Sequence, residues 1–533
     1  MATTDKNEQP STGEIRERYY DVKRVRKSLG HFLIGKGLTA IASFSVALIV
    51  VQNLSVSDYS GLTALSGLLI LMMCLTSGGL ERVIPRYFPQ LREASAESEL
   101  KLFCRNLFVI RLGLLVSGIA IMVLLARPIF DWLNLNNSSS LLVSFSLYCL
   151  SYGLYTHLMR SLQALLLQKQ ATFGQAIDSY SKLAGVIVWV YFLDSLSLTE
   201  AVYIYTATST LGAFYMLLAL RSHLIIFSTD TKTSAGNVLD YNNVKALGWQ
   251  NYLQLIAGWH ASASAAKIVG VHFLTGGGAA VLGFSFAMTQ VIRRYLPATL
   301  LLGLIEPAVI AKYTEKRDFS ILNRHVSSVL KFNLVALMPA TIWFYLAGDP
   351  IVSLLTGGKY LDSTWVISCL LVLLMMESHR LVLQLVCNAI EHSELLLKSN
   401  LVSLLLWPVV IVLIASIGLP GLVLGFIGIS VLQNFLIVIY LRRFDYEYNP
   451  DWINILRLVL VSLTAVPLAF LLSSWMGISG VAEAVVSGII VFPLYVMGVI
   501  SFSPFTQSER SMLRRYIKFG DKRKQKLANS DIV

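Results

Sequence analysis

Three cations lie deep inside apolar sequence: Lys267, Arg293 and Arg294. The segment from Ala279 to Pro307 reads AAVLGFSFAMTQVIRRYLPATLLLGLIEP, with its two arginines adjacent near the middle. A charge at the centre of a bilayer-spanning helix costs about 2.5–3.5 kcal/mol. No Asp or Glu lies between Lys245 and Glu306, so neither segment supplies its own counterion. The chemistry this predicts is anion binding in a cation-lined aqueous cavity, with a structural pair between two halves of the molecule as the alternative. Thr289 stands one turn before Arg293, and Pro297 one turn after it can kink the helix and open its backbone.

Other ionisable residues are weaker candidates. His260, Ser264 and Lys267 share a helical face, and Glu377, Arg380 and Gln384 share another. Arg380 is either a further anion ligand or neutralised by Glu377 one turn away. Asp178 and Lys182, four apart, read as an ion pair within one helix. Arg105, Arg111, Lys36 and Lys331 stand near helix ends and are expected to snorkel. His260 alone reads as a hydrogen-bonded packing residue.

The elements that must position these residues are membrane helices. Of the 533 residues, 55% are hydrophobic and only 14% charged, against about 25% charged in a soluble chain. The apolar residues come in runs of about 20, enough to cross a hydrocarbon core of about 30 Å. Spans are predicted at 31–53, 62–80, 105–126, 141–160, 171–193, 200–221, 246–271, 279–306, 326–347, 364–387, 395–417, 420–441, 453–475 and 481–502. With the basic tail 1–30 inside, every second loop should be basic. The predicted inner loops hold Arg82, Arg86, Arg92 and Lys101, then Lys169, Lys232 and Lys245, then Lys312, Lys316, Arg317 and Arg324, then Arg442 and Arg443. The predicted outer loops hold only Arg127 and Lys359. The loop 388–394 is the weak one, carrying His392 but no Lys or Arg. The alternation predicts about fourteen helices with both termini cytoplasmic.

An internal repeat organises them. Gly61 and Gly283, Pro85 and Pro307, and Pro128 and Pro350 are each 222 residues apart (283−61, 307−85, 350−128). The expected fold is all-α: an N-lobe of helices 1–6 (31–222), a cytoplasmic linker (223–245), and a C-lobe of helices 7–12 (246–442). An appended helix pair (443–503) and a basic cytoplasmic tail (504–533) follow. Both lobes start from the same side, so the repeat is parallel. The repeat is asymmetric, since Leu71 and Met72 stand 222 residues before Arg293 and Arg294.

Several function classes are excluded by what the chain lacks. The net charge of +12 sits beside apolar runs, which fits topology and not nucleic acid. The five cysteines are scattered, with no metal-ligand spacing and no disulfide framework. The polar start of the chain has no apolar core of a removable signal peptide. GxxxxGK[ST], HExxH and GxSxG are absent, and Gly276–Gly278 reads as a turn. Loops of at most about 25 residues are short for a catalytic domain. No enzyme activity, metal or cofactor is expected.

The stretch LSVSDYSGLTALSGLLILMMCLTSGGLERVIPRYFPQLRE, Leu54–Glu93, resembles the opening of bacterial polysaccharide transporters of the O-antigen-flippase type. In that family L-x-x-x-D-Y-G precedes helix two and G-x-x-x-x-x-x-R-Y-x-P closes it. Here Asp58, Tyr59 and Gly61 match the first, with Ser60 interposed, and Gly79, Arg86, Tyr87 and Pro89 match the second. DPIVSLLTGGKYLDS, Asp349–Ser363, resembles the segment after helix nine. The family belongs to the multidrug, oligosaccharidyl-lipid and polysaccharide (MOP) exporter superfamily. Its usual count is nearer twelve helices, while fourteen is the count of lipid II flippases, whose extra pair forms part of a lipid groove.

The resemblance implies two six-helix lobes in a V around a central cavity. It also implies alternating access carrying an undecaprenyl-diphosphate-linked oligosaccharide across the bacterial inner membrane, for surface or exopolysaccharide assembly. Lys267, Arg293, Arg294 and, more weakly, Arg380 would then hold the diphosphate. Arg82 and Arg86 would form the access or gating side, and Trp249, Trp259 or Tyr295 would stack on sugar. The implied partners are the lipid-linked substrate, membrane lipids, and the polymerase and glycosyltransferases of the same pathway. The alternatives are a cation-coupled multidrug exporter of the same superfamily, which should carry acids in its cavity helices, and a membrane polymerase or ligase acting on lipid-linked sugars.

Overall fold

A computed structural model describes residues 22–93, 97–135, 138–193, 196–227, 239–296, 313, 317–502 and 504–505. Among them the chain is all-α, and ten helices are long and apolar enough to cross a membrane. The first lobe comprises α1 (Val22–Asn53), α2 (Val56–Leu75), α3 (Leu80–Glu93), α4 (Glu97–Leu124), α5 (Ala126–Trp132), α6 (Ser139–Ala164), α7 (Gln168–Phe192) and α8 (Leu198–Phe227). The second comprises α9 (Tyr241–Trp259), α10 (Ala263–Phe273), α11 (Gly276–Tyr295), α12 (Phe319–Ala347), α13 (Asp349–Thr356), α14 (Ser363–Ala389), α15 (Glu394–Ser403), α16 (Trp407–Ile417) and α17 (Leu419–Arg443). The appended pair is α18 (Trp452–Trp475) and α19 (Gly480–Phe502). Helices α3, α5 and α13 are short and lie between longer apolar helices.

Three expected spans end or break differently. The second stops at Leu75, because Gly78 and Gly79 take positive φ (55° and 72°) that a helix cannot continue through. Pro85 therefore lies inside α3, together with Arg82 and Arg86, and does not close the span. The seventh is split by a turn at 260–262, after which Ser262 caps α10 by accepting from the Ala265 amide. The eleventh narrows to a 3-10 turn at Leu404–Leu406 before Pro408 in the first turn of α16. The eighth is described only to Leu296; Pro297, Glu306 and Pro307 lie outside the described residues, as do 1–21, most of the expected linker (228–238) and 506–533.

Two short helices, α5 and α13, carry Pro128 and Pro350 at matching places after α4 and α12. The lobes meet mainly along α2, which packs on α10 and α11. Glycine makes that seam close: a Cβ on Gly283 would meet Thr63 Oγ1 at 1.9 Å, and one on Gly67 would meet Ile268 at 2.9 Å. Small residues at such crossings let membrane helices approach closely. The appended pair packs on α12.

Two cations expected to snorkel are buried instead. Lys331 is 1% exposed and its Nζ lies 2.8 Å from Asp451 Oδ2 at the start of α18. Burial works to raise the Asp451 carboxyl, but hydrogen bonds from Asn454 and Lys331 outweigh it and hold it below its ordinary range. Arg111 of α4 is also buried, and its guanidinium donates to the Thr76 carbonyl and to Thr76 Oγ1 (3.2 Å) at the end of α2. It satisfies acceptors that the terminated helix leaves open.

Candidate functional site

A cavity of about 520 Å³ opens between α1, α6, α7 and α8, with α11 reaching in from the other lobe. One wall is aromatic. Tyr148, Tyr152 and Tyr155 stand at i, i+4 and i+7 on α6, so they share a face. Tyr148 and Tyr152 have ring centroids 5.7 Å apart, Tyr152 and Tyr155 6.1 Å, and Tyr205 of α8 joins Tyr148 at 5.9 Å. Such rings offer apolar faces with a polar edge, which suits sugar stacking as well as packing.

The lining also carries charge. Lys182 Nζ lies 3.1 Å from Asp178 Oδ2, and Ser209 Oγ donates to Asp178 Oδ1 at 3.2 Å. Lys182 Nζ also lies 5.0 Å from the Tyr205 ring centroid, within cation–π range. The in-helix pair expected from the sequence is thus formed, but it lines a cavity. Arg294 completes the lining from α11; it is exposed and has no ion-pair partner among the described residues. With Lys182 and Asp178 offsetting each other, the lining carries one uncompensated positive charge, that of Arg294.

The other expected anion ligands go elsewhere. Arg293 points to α14, where its Nη1 lies 3.1 Å from Glu377 Oε2. That pair lies within the second lobe, and Glu377 is therefore engaged by Arg293. Arg380 instead donates to Asn400 Oδ1 of α15. Gln433 Nε2 donates to Ser403 Oγ (2.9 Å), and the same hydroxyl contacts His260 Nε2 at 2.8 Å. This polar network joins the two helix breaks, at 260–262 and 404–406. Lys267 of α10 donates to Ser66 Oγ of α2 at 3.0 Å, a hydrogen bond across the lobes.

No family model and no curated protein matches the sequence. Solved structures do match. The lipid II flippase MurJ in an inward closed conformation aligns with a TM-score of 0.60 at 11% identity, covering 89% of this chain and 98% of its own. An inward-facing multidrug resistance MATE family transporter of the MOP superfamily aligns at 0.58 with 12% identity, covering 76% and 94%. A MOP superfamily transporter from Pyrococcus furiosus, described with a binding pocket of reversed polarity that suggests a different function, aligns at 0.50 with 14% identity over 79% and 95%. The chain has the MOP-exporter fold.

Within this MOP fold the remaining expected residues spread out. Arg86 lines a separate cavity of about 620 Å³ between α3 and α9, with Gln90, Asp240 and Gln250, and its guanidinium sits 6.0 Å from the Tyr87 ring centroid. Arg82, on the same amphipathic helix, is half-buried. Trp249 is exposed and pairs with Tyr252 at 5.8 Å, away from the tyrosine wall. Trp259 packs among core residues of both lobes at the end of α9. Of the side chain of Tyr295 nothing is described. Sequence reasoning missed the tyrosines of α6, although their 4-and-3 spacing is visible; tyrosine at helical spacing in an apolar run reads as core.

Contacts between the lobes occur at both ends of this MOP architecture. At one end Asn251 Nδ2 donates to the Gly79 carbonyl (3.2 Å) and Tyr252 Oη to the Leu75 carbonyl (2.9 Å). At the other, Trp132 and His272 stack with centroids 4.3 Å apart, and Lys359 Nζ donates to the Gln52 carbonyl at 2.5 Å and the Leu54 carbonyl at 3.2 Å.

Proposed function

We propose that this protein flips an undecaprenyl-diphosphate-linked oligosaccharide across a bacterial inner membrane by alternating access, feeding surface or exopolysaccharide assembly. The observation that carries the reading is the cavity itself, which is lined by four tyrosines and by Arg294, an arginine with no ion-pair partner among the described residues. A glycan needs stacking faces and hydrogen bonds, and a diphosphate needs a cation capable of bidentate contact. The fold likeness to a lipid II flippase supports a lipid-linked cargo.

In this reading Arg294 is the principal diphosphate ligand and Lys182 the second. Lys267 joins only in a state in which its bond to Ser66 is released, and Arg293 positions α11 through Glu377. Arg380 holds the helix breaks, Arg86 and Arg82 flank the access route at the α3–α9 end, Trp249 stands on α9 beside that route, and Tyr295 follows Arg294 at the end of α11 as a candidate for sugar stacking. Both termini face the cytoplasm, and the protein works with a polymerase and glycosyltransferases of the same pathway. A cation-coupled drug exporter would use Asp178 as its acid, but that carboxylate already serves Lys182 and Ser209.

The test is a deletion strain complemented with Arg294→Gln or Arg294→Glu at matched membrane levels. Surface polysaccharide should fall and lipid-linked precursor accumulate, more severely with Glu. Normal levels of both in the two variants would sink the assignment.

A further inference from the structure

A third cavity lies on the opposite face of α6 from the tyrosine wall. It occupies about 490 Å³ between α4, α6 and α8. On α6, Tyr148, Tyr152 and Tyr155 face the first cavity, whereas His157, Leu158 and Ser161 project roughly opposite and face this one. The slot is therefore separated from the tyrosine wall by the body of the helix.

Its lining divides by chemistry. Phe108, Leu158, Leu217 and Leu220 form apolar walls, and the polar part of the lining holds Lys101, Arg105 and Arg221 with His157 and Ser161 but no carboxylate. Lys101 and Arg105 lie in the first turns of α4 and Arg221 in the last turns of α8, so the three cations gather at one end of the lobe. The helices that line the slot carry exposed apolar residues beside it. Helix α4 is among the least buried spans, and Leu102, Val109, Phe214 and Leu218 around the opening are exposed.

Cations at a helix end that merely snorkel need no apolar slot beneath them. Three cations over such a slot match a molecule with an anionic head and a hydrocarbon tail, and basic pockets between membrane helices are the usual form of anionic headgroup sites. We propose that this slot binds one anionic diacyl phospholipid, its phosphate held by Lys101, Arg105 and Arg221 and an acyl chain lying between α4 and α8. The lipid staples α4 to α8 on the outside of the lobe whose inside carries the tyrosine wall. It is a resident lipid and not the transported cargo.

The test uses the full-length protein purified in detergent, equilibrated with dioleoyl phosphatidylglycerol and examined by native mass spectrometry. One phosphatidylglycerol per chain should be retained, at least tenfold better than phosphatidylcholine. The triple variant Lys101→Gln, Arg105→Gln, Arg221→Gln should lose it at least tenfold, and Leu217→Trp, which fills the slot and keeps the charges, should lose it too. Arg442→Gln with Arg443→Gln should keep it. Equal retention of the two lipids, full retention by the triple variant, or displacement by equimolar undecaprenyl phosphate would overturn the proposal. Should the triple variant fail to fold, photolabelling of wild-type protein with a diazirine-tailed phosphatidylglycerol decides: label on α4 and α8 supports the site, and label confined to α18 and α19 overturns it.

Discussion

Arg293 and Arg294 are adjacent in the chain and go to opposite neighbours. Adjacent residues on a helix diverge by about 100°, so one arginine meets Glu377 while the other lines the tyrosine cavity. That both need an anion is legible from their place in an apolar run. Which anion each finds is not, because Glu377 comes from a helix 84 residues further on (377−293) and appears in the sequence to belong to Arg380. The variants should separate accordingly. The Arg293–Glu377 pair is partly exposed (36% and 22%), so Arg293→Gln or Glu377→Gln should each cost about 1 kcal/mol, and the double variant less than their sum. Arg294→Gln should leave stability within about 0.5 kcal/mol of wild type. Thermal unfolding in detergent measures all four. Lys331 is the harsher case, since Lys331→Met removes the cation from the Asp451 carboxylate and leaves it only the Asn454 amide. A loss of about 2 kcal/mol is expected, largely restored by adding Asp451→Asn, and an uncorrected double variant would argue against the pair.

Helix existence was readable from runs of apolar residues, and each expected span has a helix within it. Helix ends and breaks were less readable. The break between α9 and α10 falls at His-Ala-Ser, and no proline or glycine stands in the turn itself. Its cause is tertiary: the polar network through Ser403 and His260 holds the interrupted backbone, and a single stretch of sequence does not display it. The stop after Leu75 was legible in Gly78 and Gly79, and the expected span ran past it to residue 80. Gly79 carries a testable consequence. A Cβ there would sit 1.8 Å from the Gly248 carbonyl oxygen, against backbone that cannot rotate away, and φ is +72° besides. Gly79→Ala should therefore part α3 from α9. Spin labels at Gln90 and Gln250, which line the same cavity, should report a longer distance in the variant; an unchanged distance distribution would show that the contact does not hold that end shut.

The lobes touch at both ends, so the proposed alternating access requires one set of these contacts to part for loading and the other for unloading. The pattern of apolar runs and the 222-residue repeat made the two-lobed form legible, and the fold likeness agrees with it. The position of the cavity was not legible. Cations in α10 and α11 suggested an anion site on the second-lobe side; in the structure Lys267 bonds to Ser66 across the seam, and Arg294 lines a cavity built mostly from the first lobe. Weakening the Trp132–His272 stack with Trp132→Ala should raise solvent access to the cavity from that end, read as faster modification of a cysteine placed at Thr156 in a background lacking the native cysteines.

The most direct measurement reconstitutes the purified protein in vesicles containing a fluorescent undecaprenyl-diphosphate oligosaccharide and follows quenching of the probe as it changes leaflet. Wild type should flip it, Arg294→Gln should slow flipping at least tenfold, and Arg293→Gln should retain most of the rate. Equal rates for wild type and Arg294→Gln would contradict the account.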